Sequence, residues 1–248
     1  IQSVSGYEIL IPRRVAELLA ACNAQRGEAT KHPEGRYAGF KKPISRCGQL
    51  YGVKYLLTGE KGPPEELTTN YNYEGVKPVW KRGGSTVLEY KEALPRFFLV
   101  DEYQVGEDQV AIARLITEDK DFLLDKKVVL EEEGEWSLDG EKEELVANVK
   151  LLGYYPNEVL LNVLSNKDAL LFLSDNYYPG WQAFVDDEET KIYRANYAFR
   201  SVFVSKGEHL IRFVYQPRSL KIGAIISIVT SFSLLIRLMF FKFSKKQK

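Results

Sequence analysis

Short apolar runs recur at close intervals through the second half of the chain. In "HLIRFVYQ", Ile211, Phe213 and Tyr215 fall on one side of an extended backbone, and Leu210, Arg212 and Val214 on the other. Six further runs precede it: "ELVANVKLLGYY", "EVLLNVLS", "ALLFLSDNYY", "WQAFVD", "TKIYR" and "FRSVFVS". Turn formers separate them at Pro156-Asn157, Ser165-Asn166-Lys167, Pro179-Gly180 and Lys206-Gly207. Seven short strands at this spacing predict an antiparallel β-sandwich over residues 143–217.

The first half mixes periods. In "LIPRRVAELLAACNAQRG", Val15, Leu18, Leu19 and Cys22 repeat at helical spacing, Pro12 suits the first turn and Gly27 the stop. "YGVKYLLTG" reads as a strand, "GEKGPPEELTTN" as a loop, and "VKPVWKRGGSTVLEY" as a hairpin turning at Gly83-Gly84. "RFFLVDEY" predicts another strand, Asp108 a cap for a helix through "QVAIARLI", and "KKVVLEEE" a further strand. The expectation is an α+β chain: a small mixed α/β domain over residues 1–133, an acidic linker at 134–142, and the sandwich.

"LKIGAIISIVTSFSLLIRLMFF", Leu220 to Phe241, has a third pattern: apolar on every side. A helix of this length spans roughly 33 Å, enough for a hydrocarbon core of about 30 Å. Lys221 and Arg237 sit near its ends, where their stems can reach the headgroups. The chain therefore predicts one transmembrane helix over residues 218–242. The lysines of "KFSKKQK" exceed the bases before the span, which places a basic tail, residues 243–248, in the cytoplasm and residues 1–217 outside it.

Charge narrows the partners. Lys and Arg number 34 and Asp and Glu 34, so no overall field favours nucleic acid. The chain opens at Ile1 with no basic n-region before an apolar stretch, and reads as a piece of a longer protein or a processed product. Cys22 and Cys47 fit either one disulfide on an outward face or two buried thiols. Between Asp101 and Glu144 there are sixteen acids and five bases, but no D-x-D-x-D-G calcium pattern, and "EEEGEWSLDGEKEE" reads as solvated. No metal, cofactor or catalytic residue is predicted: His32 and His209 lack a nucleophile motif beside them, and no GxSxG, phosphate loop or HExxH occurs.

One stretch has the composition of a sugar grip. "SDNYYPGWQAFVDDEETKIYRANYAFR" offers Tyr177, Tyr178 and Trp181 as stacking faces and Arg194, Asn196 and Arg200 as polar partners for a glycan. Sandwich packing competes with that reading. Tyr178-Pro179-Gly180-Trp181 fits a type II turn, after which Trp181, Ala183 and Val185 alternate into a core. Arg194 and Arg200 are the stronger functional candidates, because their flanking strands already supply apolar packing.

Taken in order, "YYPGW", the "VDD" turn, "AN…FR", G-x-H and F-x-Y-x-P before the apolar helix resemble the C-terminal region of the YfhO family of bacterial polytopic membrane proteins. "GYEILIPRRVAELL", "YGVKYLLTG" and "ALPRFFLV" look like that family's extracytoplasmic segments. Where the family has Gly after Val-Asp, this chain has Asp187, which predicts a longer or differently shaped turn. YfhO-like proteins are similar to membrane glycosyltransferases that use a polyprenyl-phosphate sugar and carry an acidic catalytic residue on an early outer loop. The resemblance thus implies a cell-envelope glycosyltransferase-like parent whose catalytic helices lie outside this chain. The partners implied are the lipid bilayer and a lipid-linked sugar or envelope glycan. A membrane-anchored glycan-binding module and a structural ectodomain are the alternatives.

Overall fold

The computed structural model describes residues 6–7, 12–23, 37–38, 46–58, 76–138 and 143–245. The expected loop at "GEKGPPEELTTN", His32 and the Gly27 helix stop lie outside the described residues.

Three layers organise the chain. A six-stranded sheet in the middle has the order β6-β11-β15-β14-β8-β7, with β6 Phe97–Val100, β7 Glu102–Val105, β8 Lys127–Leu130, β11 Ala169–Asn176, β14 Tyr193–Ala195 and β15 Phe199–Val204. One face packs on a five-stranded sheet, β13-β12-β16-β10-β9. Its strands are β9 Ala147–Tyr155, β10 Glu158–Ser165, β12 Trp181–Val185, β13 Glu188–Thr190 and β16 Gly207–Tyr215. The other face packs on helices α1 (Arg13–Asn23), α2 (Arg46–Leu50) and α3 (Gln109–Glu118).

Strand β11 shows why the middle sheet needs both layers. Leu170 and Phe172 join the core with Leu18, Leu50, Ile116 and Phe199, while Leu171 and Leu173 join the core with Val159, Leu161, Val202, Ile211 and Phe213. A strand covered on both faces reads as an unbroken apolar run, and "ALLFL" is one. Neither β6, β7 nor β8 lies in the expected sandwich stretch, yet all three pair in its sheet. Strands from both sides of residues 134–142 therefore form one hydrogen-bonded layer.

Within residues 134–142, Trp136 is packed rather than solvated. It stacks on Phe203 at 5.2 Å, meets Tyr103 and Tyr193 edge-on, and donates its indole N–H to the Tyr193 hydroxyl at 3.2 Å. The acids of that stretch dominate its composition, but the single large ring has far more apolar area to bury.

Most local expectations elsewhere match, but "RFFLVDEY", expected as one strand, divides into β6 and β7 at opposite edges of the middle sheet. Val15, Leu18 and Leu19 are the buried side of α1. Asp108 caps α3, its carboxylate accepting from the Ala111 N–H at 2.8 Å. β7, α3 and β8 form a strand-helix-strand unit whose strands run parallel. A three-stranded sheet, β3-β5-β4, contains Tyr55–Thr58, Ser85–Tyr90 and Val76–Arg82, with Gly83 and Gly84 both at positive φ in its hairpin turn. "TKIYR", expected as one strand, instead divides: β13 ends at Thr190 in one sheet and β14 starts at Tyr193 in the other. A two-residue strand pair, β1 (Gly6–Tyr7) with β2 (Tyr37–Ala38), completes the sheets, and α4 runs from Arg218 to Lys245. Cys22 and Cys47 form a disulfide between α1 and α2.

The turn at Asp187 is not lengthened. Val185 pairs directly with Glu188, leaving Asp186 and Asp187 as a two-residue loop with φ of 52° and 68°. That is a type I′ turn made without glycine; Asp is among the few residues that tolerate the left-handed region. Asp187→Gly is therefore expected to raise stability by about 0.5 kcal/mol, since it relieves left-handed strain at a position whose side chain, among the described residues, reaches Arg212 at 3.5 Å. A urea midpoint that falls would show that the aspartate is not strained there.

Candidate functional site

The candidate residues gather where the chain crosses from β11 to β12. Gly180 has φ of +104°, and the Trp181 N–H reaches the Tyr178 carbonyl at 3.5 Å, the expected type II form. A Cβ on Gly180 would stand 3.0 Å from Pro217 and from the Tyr215 ring, so this position needs glycine for space as well as for backbone. Gln216 N–H donates to the Gly180 carbonyl at 2.7 Å. The turn is thereby fastened to the two residues that lead into α4.

Arg200 lies behind this corner on β15. Its guanidinium carbon sits 4.2 Å from the Trp181 ring centre and 5.4 Å from that of Phe213, and Nη2 donates to Asp175 at 2.8 Å. Both side chains are buried, at 3% and 7% exposure. Burial holds the Arg200 guanidinium below its ordinary pKa, opposed by the Asp175 charge. Among the described residues, Arg200 Nε and Nη1 have no hydrogen-bond partner, so the aromatic rings supply their surroundings. Arg96 donates to the same carboxylate from Nε at 2.9 Å, and to the Tyr154 hydroxyl at 3.0 Å.

The strand register sets Arg194 directly opposite Arg200. Arg194 lies 4.4 Å from the Tyr177 ring centre and donates to Glu131 at 3.1 Å; Arg14 also pairs with Glu131. One pattern therefore occurs twice: two guanidiniums around one carboxylate, Arg96–Asp175–Arg200 and Arg14–Glu131–Arg194. Each trio is left with about one unit of positive charge.

Asn196 is elsewhere in role. It is fully buried at φ 44°, takes the Val129 N–H on Oδ1 at 2.9 Å and returns its own N–H to the Val129 carbonyl at 2.8 Å. It holds the β14 to β15 turn against β8. Of the six candidates, the structure brings Tyr177, Arg194, Arg200 and Trp181 into contact on one face, and leaves Tyr178 half exposed at the rim against Tyr215. Sequence reasoning missed Arg96, Asp175 and Glu131. Asp175 had a signal: it continues the inward alternation of Leu171 and Leu173, where a charge must find a buried partner.

At the opposite end of β16, Ser205, His209 and Asp186 are aligned as in a Ser-His-Asp constellation. Ser205 Oγ lies 3.1 Å from His209 Nε2, and His209 Nδ1 2.6 Å from Asp186. The hydrogen bond from His209, and then the Leu210 N–H, hold the Asp186 carboxyl below its ordinary pKa. Acyl transfer also needs free amides for an oxyanion. Here the Lys206 N–H is spent on Asp168 and the Leu210 N–H on Asp186, both at 2.8 Å. The three residues tie two turns together. Among the described residues, no group of three or more His, Cys, Asp or Glu is placed to hold a metal ion.

Comparison with known proteins places this end of the molecule. The model of the family described as bacterial membrane protein YfhO matches residues 141–227, which covers β9 to β16 and the start of α4. A stretch of 79 residues is 33% identical to the uncharacterized protein YfhO of Bacillus subtilis (strain 168), covering 32% of this chain and 9% of that protein. No solved structure matches. The only α-helix among the described residues long and apolar enough to cross a membrane is α4, over Arg218–Arg237, with none of it buried.

Proposed function

We propose, from the premise that residues 141–227 are a YfhO-family region of a bacterial membrane protein, that this chain is the extracytoplasmic auxiliary part of a polytopic glycosyltransferase-like protein. Its donor would be a polyprenyl-phosphate sugar, its acceptor a cell-envelope glycan or polymer, and its catalytic membrane part lies outside the chain. The observation that supports this reading is the continuity of the family match, which runs through the sandwich and into an apolar helix without a break. The 9% coverage of the Bacillus protein leaves ample length for further membrane segments there. The disulfide favours an outward face, since thiols stay reduced in the cytoplasm.

In this reading the sandwich holds and orients the membrane part and carries no chemistry of its own. The polar ends of Arg194 and Arg200 are engaged by Glu131 and Asp175, which suits a rigid scaffold better than an open sugar cleft. The test uses membranes from cells with and without the intact parent protein, incubated with a radiolabelled polyprenyl-phosphate sugar. Transfer to envelope glycan should fall at least tenfold without the protein. Equal transfer by both membranes would remove the transferase reading.

A further inference from the structure

We propose that the end of the sandwich nearest α4 is a lipid-binding surface that seats in the headgroup layer and prefers anionic phospholipid. Chain connectivity sets where this end of the sandwich lies. Gly180 is hydrogen-bonded to Gln216 and packed on Pro217, the residue before α4. From Arg218 to the first long apolar side chain, Leu220, the helix advances only about 3 Å. A headgroup layer is roughly 5–8 Å deep on each side of the hydrocarbon core. With α4 in the bilayer, the "YYPGW" corner lies within or against that layer.

The register brings the right side chains to the same end. Trp181 pairs with Tyr215, Glu158 pairs with both Val214 and Tyr155, and Tyr215 N–H donates to Asn157. Tyr178 and Tyr155 stand 50% and 59% exposed there, an expensive display of aromatic area in water but a favourable one at a membrane interface. Behind them stand the two arginine-rich trios, each with two guanidiniums around one carboxylate, and ahead of them Arg218 and Lys221. Basic groups near a bilayer surface attract anionic lipid. Aromatic rim and residual positive charge together select a lipid phosphate in an interfacial setting. This inference rests on α4 as a membrane span and is independent of any glycosyltransferase activity.

Depth measurement tests it on the whole chain in vesicles of phosphatidylcholine with one-third phosphatidylglycerol. Cys22 and Cys47 are bonded, so a fluorophore can be attached without reductant to Tyr178→Cys, to Tyr155→Cys, or to Leu164→Cys. Leu164 is equally exposed but six residues along β10 from Glu158, about 20 Å further from the membrane. Lipids with a nitroxide at acyl carbon 5 should quench the labels at 178 and 155 at least fivefold more than the label at 164. At position 178, nitroxide phosphatidylglycerol should quench at least twofold more than nitroxide phosphatidylcholine, and that preference should vanish with Arg96→Gln and Arg194→Gln together. Quenching at 178 and 155 no stronger than at 164 overturns the seat, and equal quenching by both lipids overturns the anionic preference.

Discussion

Asp175→Asn is expected to cost about 3–5 kcal/mol of folding stability, the largest effect of any single substitution proposed for this chain. The new side chain keeps the size and shape of the old one, so the loss isolates charge. Arg200 would remain at 3% exposure with its guanidinium between Trp181 and Phe213 and no carboxylate to answer it. It cannot discharge at accessible pH, although burial already pulls its pKa down. It cannot readily reach water either, because Trp181 closes the corner from outside at 4.2 Å. Typical domains are stable by about 5–15 kcal/mol, so a loss of this size would leave much of the population unfolded on mild heating. Adding Arg200→Met should recover most of the loss, because an apolar side chain suits the site once the charge has gone. Urea unfolding of the wild type, the single variant and the double variant decides the matter. A single-variant loss below about 1 kcal/mol, or a double variant no better than the single, would mean that Asp175 is not what neutralises the corner.

That trio also shows where reading the sequence stops. Period-two alternation was enough to find the strands of the sandwich and to put Ile211 and Phe213 inside, and a cap signal found Asp108. Those features are local: they depend on residues a few positions apart. Strand partners are not local, and nothing in "RFFLV" or "KKVVL" says that β6 and β8 join a sheet with strands from residues 169–204. The candidate site fails to be legible for the same reason. Arg96 meets Asp175 across 79 positions, and Arg14 meets Glu131 across 117. The stretch from Ser174 to Arg200 supplies the aromatics, two arginines and Asp175, but the groups that complete the two trios come from α1, the residue before β6 and the residue after β8. Asn196 makes the point in reverse. An amide among tyrosines looks like a glycan ligand, whereas a positive φ and a neighbouring strand turn it into a clamp for Val129.

Reduction of the Cys22–Cys47 disulfide is expected to lower stability by about 3 kcal/mol, the entropy returned to the unfolded chain when a closed loop of about 25 residues opens. The effect should be felt first at α1. That helix has only about three turns, too few to be stable alone, and it keeps its place through Val15, Leu18 and Leu19 in the core and through the covalent tie to α2. Its polar ties are fewer: Arg14 to Glu131, and Glu17 accepting from the Tyr197 hydroxyl at 2.7 Å. Without the disulfide, α1 can leave the middle sheet while the five-stranded layer on the opposite face stays intact. Thermal melts with and without dithiothreitol should therefore differ in the wild type and coincide in Cys22→Ser with Cys47→Ser. Limited proteolysis of the reduced chain should cut near α1 before any strand of β9 to β16. The same bond reports on the side of the membrane, because it persists only where thiols are oxidised. In intact cells a maleimide reagent should fail to modify Cys22 or Cys47 until a reductant is added. Full modification without reductant would place this face of the protein in the cytoplasm and reverse the orientation given by the basic tail.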